Sequence, residues 1–305
     1  MSRVSVIIPT HNRAAMLPRA IESAKRAGTD LEIIVVDDAS TDETQALFRD
    51  RKDLIYLRME QNVGQARARN AGITRSSGEY IAFLDDDDLR LPNSLDMQAT
   101  MLAKDRNLGF VYGPVYIGDS KTCLPTGEIR PKNYPTGDIF WSLVTGNTIY
   151  IASVLVRRRH IEAIGLFAPE VLGTEDWDAW LRLAAISTVD AVQQPVAIYR
   201  YSNRQSGQTS SNLPKMMRSS VRTQVRALRS PRALTVDQAA RQEIRSTFKD
   251  VVWDRLVDEG NTALLQRDMC YAAMNYFTAI QLHPRRAARF AAIKNFTRSI
   301  LSEAR

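Results

Sequence analysis

The chain has 305 residues, 44% of them apolar and 25% charged, with 14 Gly, 12 Pro and 2 Cys. This is ordinary globular composition, which excludes disordered, collagen-like and disulfide-scaffold classes, and the length allows one large domain or a main domain with an appendage. The net charge of +7 is uneven: residues 1–199 carry 22 Lys/Arg against 26 Asp/Glu, whereas 200–305 carry 19 against 8, so the basic excess is C-terminal and points to an anionic partner, with a solvated helical face as the alternative.

Apolar runs at Val4–Ile8, 31–36, 54–57 and 80–84 read as strands, separated by helical stretches at 14–27, 42–51 and 64–76. Near-continuous apolar strands alternating with helices predict an α/β domain whose mostly parallel sheet is covered by helices on both faces. Ligands of such sheets bind beyond the carboxyl ends of the strands. The residues there are Pro9 to Arg13, Asp37 to Ser40, Gln61 to Gly64 and Asp85 to Asp88. Farther on, 109–117 and 150–156 read as strands, 122–137 as a Gly- and Pro-rich loop, and 175–185 as a helix. The polar stretch 201–212 reads as a linker, which places the α/β domain at 1–205 and a basic, all-helical extension at 206–305. There Arg218, Arg222, Arg226 and Arg229 recur along one helix face. Ala272, Tyr276, Ala279 and Pro284 have the spacing of the second helix of a tetratricopeptide unit, but a single partial unit is a weak signal and a lone helical hairpin is the favoured reading, because repeat architectures need about three units. No run of about 18 apolar residues and no signal peptide is found, so a cytoplasmic location is expected. Cys123 and Cys270 offer no metal spacing and are expected to be free thiols.

Four consecutive carboxylates, Asp85 to Asp88, repel one another unless a cation or hydrogen-bond donors neutralise them. Mg²⁺ or Mn²⁺ shared with a substrate diphosphate suits such a cluster, while a cap on the helix starting near Pro92 accounts for one of them. Asp38 has the same strand-end placement and reads as a contact to a base or ribose, or else as a cap of the helix from Asp42. Neither G-x-G-x-x-G after a strand nor G-x-x-x-x-G-K-[ST] is present, which argues against dinucleotide oxidoreductases and P-loop enzymes.

The ordered segments Val4 to Arg13, Val36 to Asp42, Asn62 to Gly64, Ala68 to Gly72 and Gly78 to Asp88 together resemble family 2 glycosyltransferases of GT-A fold over about residues 3–205. The resemblance implies an inverting transfer of sugar from a nucleotide-sugar, usually UDP-linked, to a hydroxyl of a lipid-linked, polysaccharide or protein acceptor, with Mn²⁺ or Mg²⁺ as cofactor. It implies that Pro9, Thr10 and Asp38 contact base and ribose and that Arg69 supports the nucleotide or diphosphate. Asp85 and Asp86 then fall on the donor and Asp87 on the metal, and Asp176 of Gly173 to Asp178 becomes the general base. A helix cap beside Trp177 and Trp180 is the other reading of Asp176. Where many relatives carry a metal-binding His, this chain has Ser202, which leaves Arg200 and Arg204 as alternatives for neutralising the diphosphate. Trp141 and Trp177 are candidates for stacking on a sugar or for packing in the core. A nucleotide-sugar-binding module without transfer activity, or a nucleotidyltransferase of similar sheet, is the competing class. Nucleic acid ranks last as a partner, because no zinc-finger spacing or RNP-like aromatic motif is found.

Overall fold

A computed structural model of the chain describes residues 4–201 and 212–287. They fall into two compact units that divide between Ser206 and Gly207.

In the first unit, β1 (Val4–Thr10), β2 (Leu31–Asp37), β3 (Ile55–Arg58) and β4 (Tyr80–Phe83) pair in parallel, in the order β4-β1-β2-β3. Every residue of β1 is buried, because strands flank it on both edges and helices cover the sheet. Between the strands run α1 (Leu17–Lys25), α2 (Thr44–Phe48) and α3 (Gln65–Arg75). All three helices are shorter than the sequence pattern predicts. The chain from Arg13 to Met16 forms a turn, in which the Met16 and Leu17 amides donate to Arg13 O, before α1 begins.

Past β4 come β5 (Leu89–Arg90), α4 (Ser94–Lys104), β6 (Leu108–Tyr112) and β7 (Val115–Gly118). The single strand expected over 109–117 is therefore two. Gly113-Pro114 divides it, since Pro114 has no N–H for a ladder, and the halves enter different sheets. The loop expected over 122–137 contains β8 (Pro125–Arg130), a fully exposed strand antiparallel to β7. After α5 (Phe140–Val144), the stretch 150–156 is interrupted by a 3₁₀ turn at Ile151–Ser153 and joins the sheet only at β9 (Leu155–Arg157), which inserts antiparallel between β4 and β6. The chain continues through α6 (Arg158–Ala163), α7 (Glu175–Ala184), β10 (Thr188–Ala191) and β11 (Ala197–Arg200). The main sheet reads β10-β6-β9-β4-β1-β2-β3, and a second one β5-β11-β7-β8. The architecture is a mostly parallel, helix-flanked α/β sheet, and the second sheet closes over the carboxyl end of β4.

The second unit is helical among its described residues: α8 (Leu213–Ala227), α9 (Pro231–Leu234), α10 (Gln238–Leu265), α11 (Met269–Leu282) and α12 (Pro284–Ala287). Helices α10 and α11 form a hairpin, and α8 packs against both. Ala272, Tyr276 and Ala279 lie buried in it. Gly260 permits the close approach: a Cβ there would fall 2.9 Å from the Tyr276 ring. The Tyr276 hydroxyl donates to Asn261 Oδ1 at 2.7 Å. Among the described residues no helix is long and apolar enough to cross a membrane.

Candidate active site

The site forms where β1, β2 and β4 end side by side. Pro9 is tolerated inside central β1 because the pairing with β4 stops at Ile7, so no ladder bond is lost there. One residue on, the Thr10 hydroxyl donates to Asp86 Oδ2 at 2.7 Å, joining the ends of β1 and β4.

Asp38 follows β2, and its carboxylate accepts from the backbone N–H groups of Val63 and Gly64 at 2.7 and 2.8 Å. Gly64 takes φ +84°, a conformation that L side chains rarely adopt, and it starts α3. Asp38 thus fixes the turn that leads into α3. The turn into α2, whose N-cap is Glu43, is held instead by Asp42, which accepts from Thr44 N at 3.0 Å. Asp37 is fully buried and serves structure, accepting from Arg58 Nη1, Ser40 N and the Tyr56 hydroxyl. His11 Nδ1 lies 2.7 Å from Asp38 O.

The fully buried Arg69 guanidinium, presented by α3, is the hinge of the site. Its Nη2 donates to Asp85 Oδ1 at 2.7 Å and its Nη1 to Glu175 Oε1 at 2.9 Å, while its face lies over the Phe167 ring at 5.7 Å. Arg69 thereby joins the β4 end to the first turn of α7, where Asp176 sits. Asp176 is half-buried, accepts from Trp177 N at 2.7 Å and lies 3.4 Å from Asn147 Nδ2. Burial and the neighbouring Glu175 charge push its carboxyl up to about 7, against the pull of the Trp177 N–H and Arg69. Thr174, not Asp176, stands at the N-cap of α7.

The acidic run splits in role. Burial and Asp87 push Asp86 up to about 7. Burial outweighs Arg69 at Asp85 and raises it also, and burial with the Asp87 and Asp85 charges carries Asp88 well above the carboxylate range. Asp87 is held by cations: Arg200 reaches Oδ2 through Nε at 3.2 Å and through Nη2, and Arg13 through Nη1 at 3.3 Å. Asp88 Oδ1 accepts from Arg200 N at 2.8 Å. None of the four caps α4, whose N-cap is Asn93. Cys123, in a left-handed turn at φ +57°, donates its thiol to Asp87 O, and burial pushes that thiol up to about 12. Both cysteines are free.

A hard divalent cation fits this donor set, which consists of oxygens and includes Asp88 Oδ2, buried without a hydrogen-bond partner among the described residues. No three His, Cys, Asp or Glu side chains there form a complete cage. That matches the way Mg²⁺ takes one or two carboxylates plus substrate phosphate.

Arg200 is thus an Asp87 partner at the end of β11, where the sequence offers it as a diphosphate ligand; Ser202 and Arg204 lie outside the described residues. Trp177 is a core residue, 2% exposed with its indole N–H on Leu143 O at 2.8 Å, and does not stack on a sugar. Trp141 stays half-buried, edge-on to Phe140. Sequence reasoning left Glu175, Arg13 and Asn147 without roles, although the first two lie inside quoted motifs.

Residues 5–164 match the model of glycosyl transferase family 2. An uncharacterised glycosyltransferase of Rickettsia prowazekii is 32% identical over 195 residues, 61% of this chain and 60% of the relative; this chain therefore spans less than two thirds of that protein's length. The Escherichia coli enzyme WfgD, a UDP-Glc:α-D-GlcNAc-diphosphoundecaprenol β-1,3-glucosyltransferase, is 28% identical over 70% of this chain and 83% of its own. Among solved structures, Staphylococcus aureus TarS 1-349 with UDP-GlcNAc superposes with TM-score 0.61 at 16% identity, covering 93% of this chain and 92% of TarS. The Pyrobaculum calidifontis mannosyltransferase PcManGT with GDP-Man and Mn²⁺ gives 0.58 at 18% identity, covering 92% and 86%. At these identities the two structures show the fold.

Proposed function

The chain belongs to glycosyl transferase family 2, and from that premise we propose that it is an inverting glycosyltransferase moving a sugar from a nucleotide-sugar, UDP-linked by preference, to an acceptor hydroxyl. The observation that carries the proposal is the Arg69 bridge, which gathers the β4 carboxylates and the α7 carboxylates into one buried charge cluster. Donor and acceptor chemistry need such adjacent groups.

In this reading Pro9, Thr10 and Asp38 line the base and ribose, Asp85 and Asp86 the donor, and Arg69 holds the two halves together. Asp176 accepts the acceptor's proton as its oxygen bonds to the anomeric carbon and the bond to the diphosphate breaks. A carboxyl pushed up to about 7 suits this task near neutral pH. Asp87, with its acidic neighbours, would hold a Mn²⁺ or Mg²⁺ that stabilises the leaving diphosphate as a Lewis acid. The Mn²⁺ in the PcManGT complex and the nucleotide-sugars in both complexes support these assignments. The lipid diphosphate acceptor named for WfgD supports a lipid-linked acceptor, met by a peripheral protein at the cytoplasmic membrane face.

The test is thermal stability against UDP-, GDP-, dTDP- and CMP-sugars with and without Mn²⁺, for wild type and Asp87→Ala, because a ligand of the folded state raises its melting temperature. A Mn²⁺-dependent rise with one nucleotide, absent in the variant, is expected. No rise with any of them sinks the donor assignment. Binding without UDP release in the presence of acceptor lipids favours a non-catalytic module.

A further inference from the structure

The basic excess of the chain is concentrated in a segment that contributes no acidic residue of its own. No Asp or Glu occurs between Asp190 and Asp237, a stretch that holds eight Lys/Arg. Helix α8 places Lys215, Arg218, Arg222 and Arg226 at three- and four-residue spacing, and Arg229 continues the stripe in the following turn. Lys215, Arg222, Arg226 and Arg229 are exposed, and Arg218 donates to Gln281 Oε1 at 3.1 Å. The opposite face of α8 is buried, through residues such as Met217, Gln224 and Ala227, and packs on α10 and α11. Among the arginines lies a shallow open depression lined by the buried Val221 and the half-buried Val225 and edged by Arg222, Arg226 and Arg229.

The neighbouring helix gives the contrast. Along α10 the basic residues Arg241, Arg245 and Lys249 alternate with Glu243, Asp250 and Asp254, and the last two pair with Arg286. A face that is merely solvated mixes signs in this way. Like charges four residues apart repel on a helix, and an anionic surface offers the exposed Lys215, Arg222 and Arg229 a counter-charge that their own segment does not supply.

We propose that this face of α8 docks on an anionic lipid bilayer, with guanidinium forks on headgroup phosphates and the half-buried Val225 turned to the interface. Clustered Lys and Arg at a surface are attracted by anionic headgroups, each contributing about 1 kcal/mol. Residues 213–229 contain no Phe, Tyr or Trp on which bases stack, which favours lipid over single-stranded nucleic acid. The inference rests on the lipid-linked acceptor of the proposed function, because docking brings the catalytic unit to such an acceptor.

The test sediments the full chain with phosphatidylcholine vesicles and with phosphatidylglycerol-rich vesicles at low salt, as wild type, R222E/R229E and R222K/R229K. Wild type and the lysine pair are expected to pellet with anionic vesicles only, and the charge-reversed pair to bind at least about thirtyfold more weakly, two arginine contributions being lost. All three proteins are expected to keep the same nucleotide-sugar melting shift, which shows that the variants are folded and separates this inference from the transferase reading. Absent donor shifts with intact charge-dependent vesicle binding would count against the transferase alone. Failure of wild type to pellet, equal binding of the charge-reversed pair, or displacement of the vesicles by an equal concentration of duplex DNA overturns the proposal.

Discussion

At the scale of single residues, the decisive competition is for Asp87. Arg200 and Arg13 hold its carboxylate through Oδ2 in a setting where Arg200 is 4% exposed, and a divalent cation at Asp87 competes with these guanidiniums for its charge. The anionic diphosphate of a donor is the group they can turn to. Mn²⁺ without nucleotide is therefore expected to bind weakly to wild type. Arg200→Gln should tighten it about tenfold or more, the worth of a hydrogen bond to a charged group, as measured by calorimetric titration; Arg13→Gln should do the same to a smaller degree without disturbing the core. Unchanged affinity in both would remove Asp87 from the ligand set. For Asp176→Asn, UDP release in the presence of acceptor is expected to fall by about 10²–10⁴, the usual contribution of a general base, while the donor melting shift persists. In wild type the rate should climb as pH rises through about 7, where Asp176 loses its proton. A rate flat across that range would argue against Asp176 as the base. Asp85 to Asp88 and Asp176 were legible in the sequence because each sits in a short local pattern. The ion pairs that join the distant segments were not, since Arg200 lies 113 residues from Asp87 and Arg69 lies 106 from Glu175, distances over which no local spacing reports contact.

At the scale of elements, the same division holds between what burial writes into a sequence and what it does not. Strands β1, β2 and β4 are continuous apolar runs because strands and helices enclose them. Strand β8 is polar and exposed along its whole length and is held by pairing to β7 and by the Thr126 hydroxyl on Ile117 O at 2.9 Å, so no periodicity marks it. The approach of α10 to α11 depends on Gly260, which the spacing of Ala272, Tyr276 and Ala279 alone did not single out. Helix α7 shows how an element serves the site. Asp176 is in its first turn, and one turn later the fully buried Trp180 ring packs 5.6 Å from Phe110 and 6.2 Å from Phe167, whose own ring lies beneath Arg69. Trp180→Ala should cost about 3–5 kcal/mol in urea unfolding, the range for removing a large buried aromatic, and should weaken transfer through misplacement of Asp176. A cost under about 1 kcal/mol, the level of a surface change, would show that α7 is seated by other contacts.

At the scale of the whole molecule, the carboxylate cluster sets how stability responds to pH. Asp85, Asp86, Asp88 and Asp176 all stand above their ordinary value of 3.8 in the fold. The folded chain therefore binds more protons than the unfolded one between about 4 and 7, and stability falls as pH rises across that window, with each such group contributing up to about 1.4 kcal/mol per pH unit. Asp37, Asp42 and Asp53 are shifted the other way, and their contribution is present above 3.8 and lost only in stronger acid. His160, lowered from 6.5 by burial, opposes the trend as a single group. In EDTA the melting temperature is thus expected to decline from pH 5 to pH 7.5. Asp88→Asn should flatten the decline, because the amide oxygen can still accept from Arg200 N and no charge remains to be buried. Nucleotide with Mn²⁺ should flatten it too, by supplying the missing counter-charge. A melting temperature that rises over this range in EDTA would mean the carboxylates are already compensated by Arg13, Arg69 and Arg200. The cluster would then not be poised for a cation, and the metal-dependent part of the proposed chemistry would lose its physical basis.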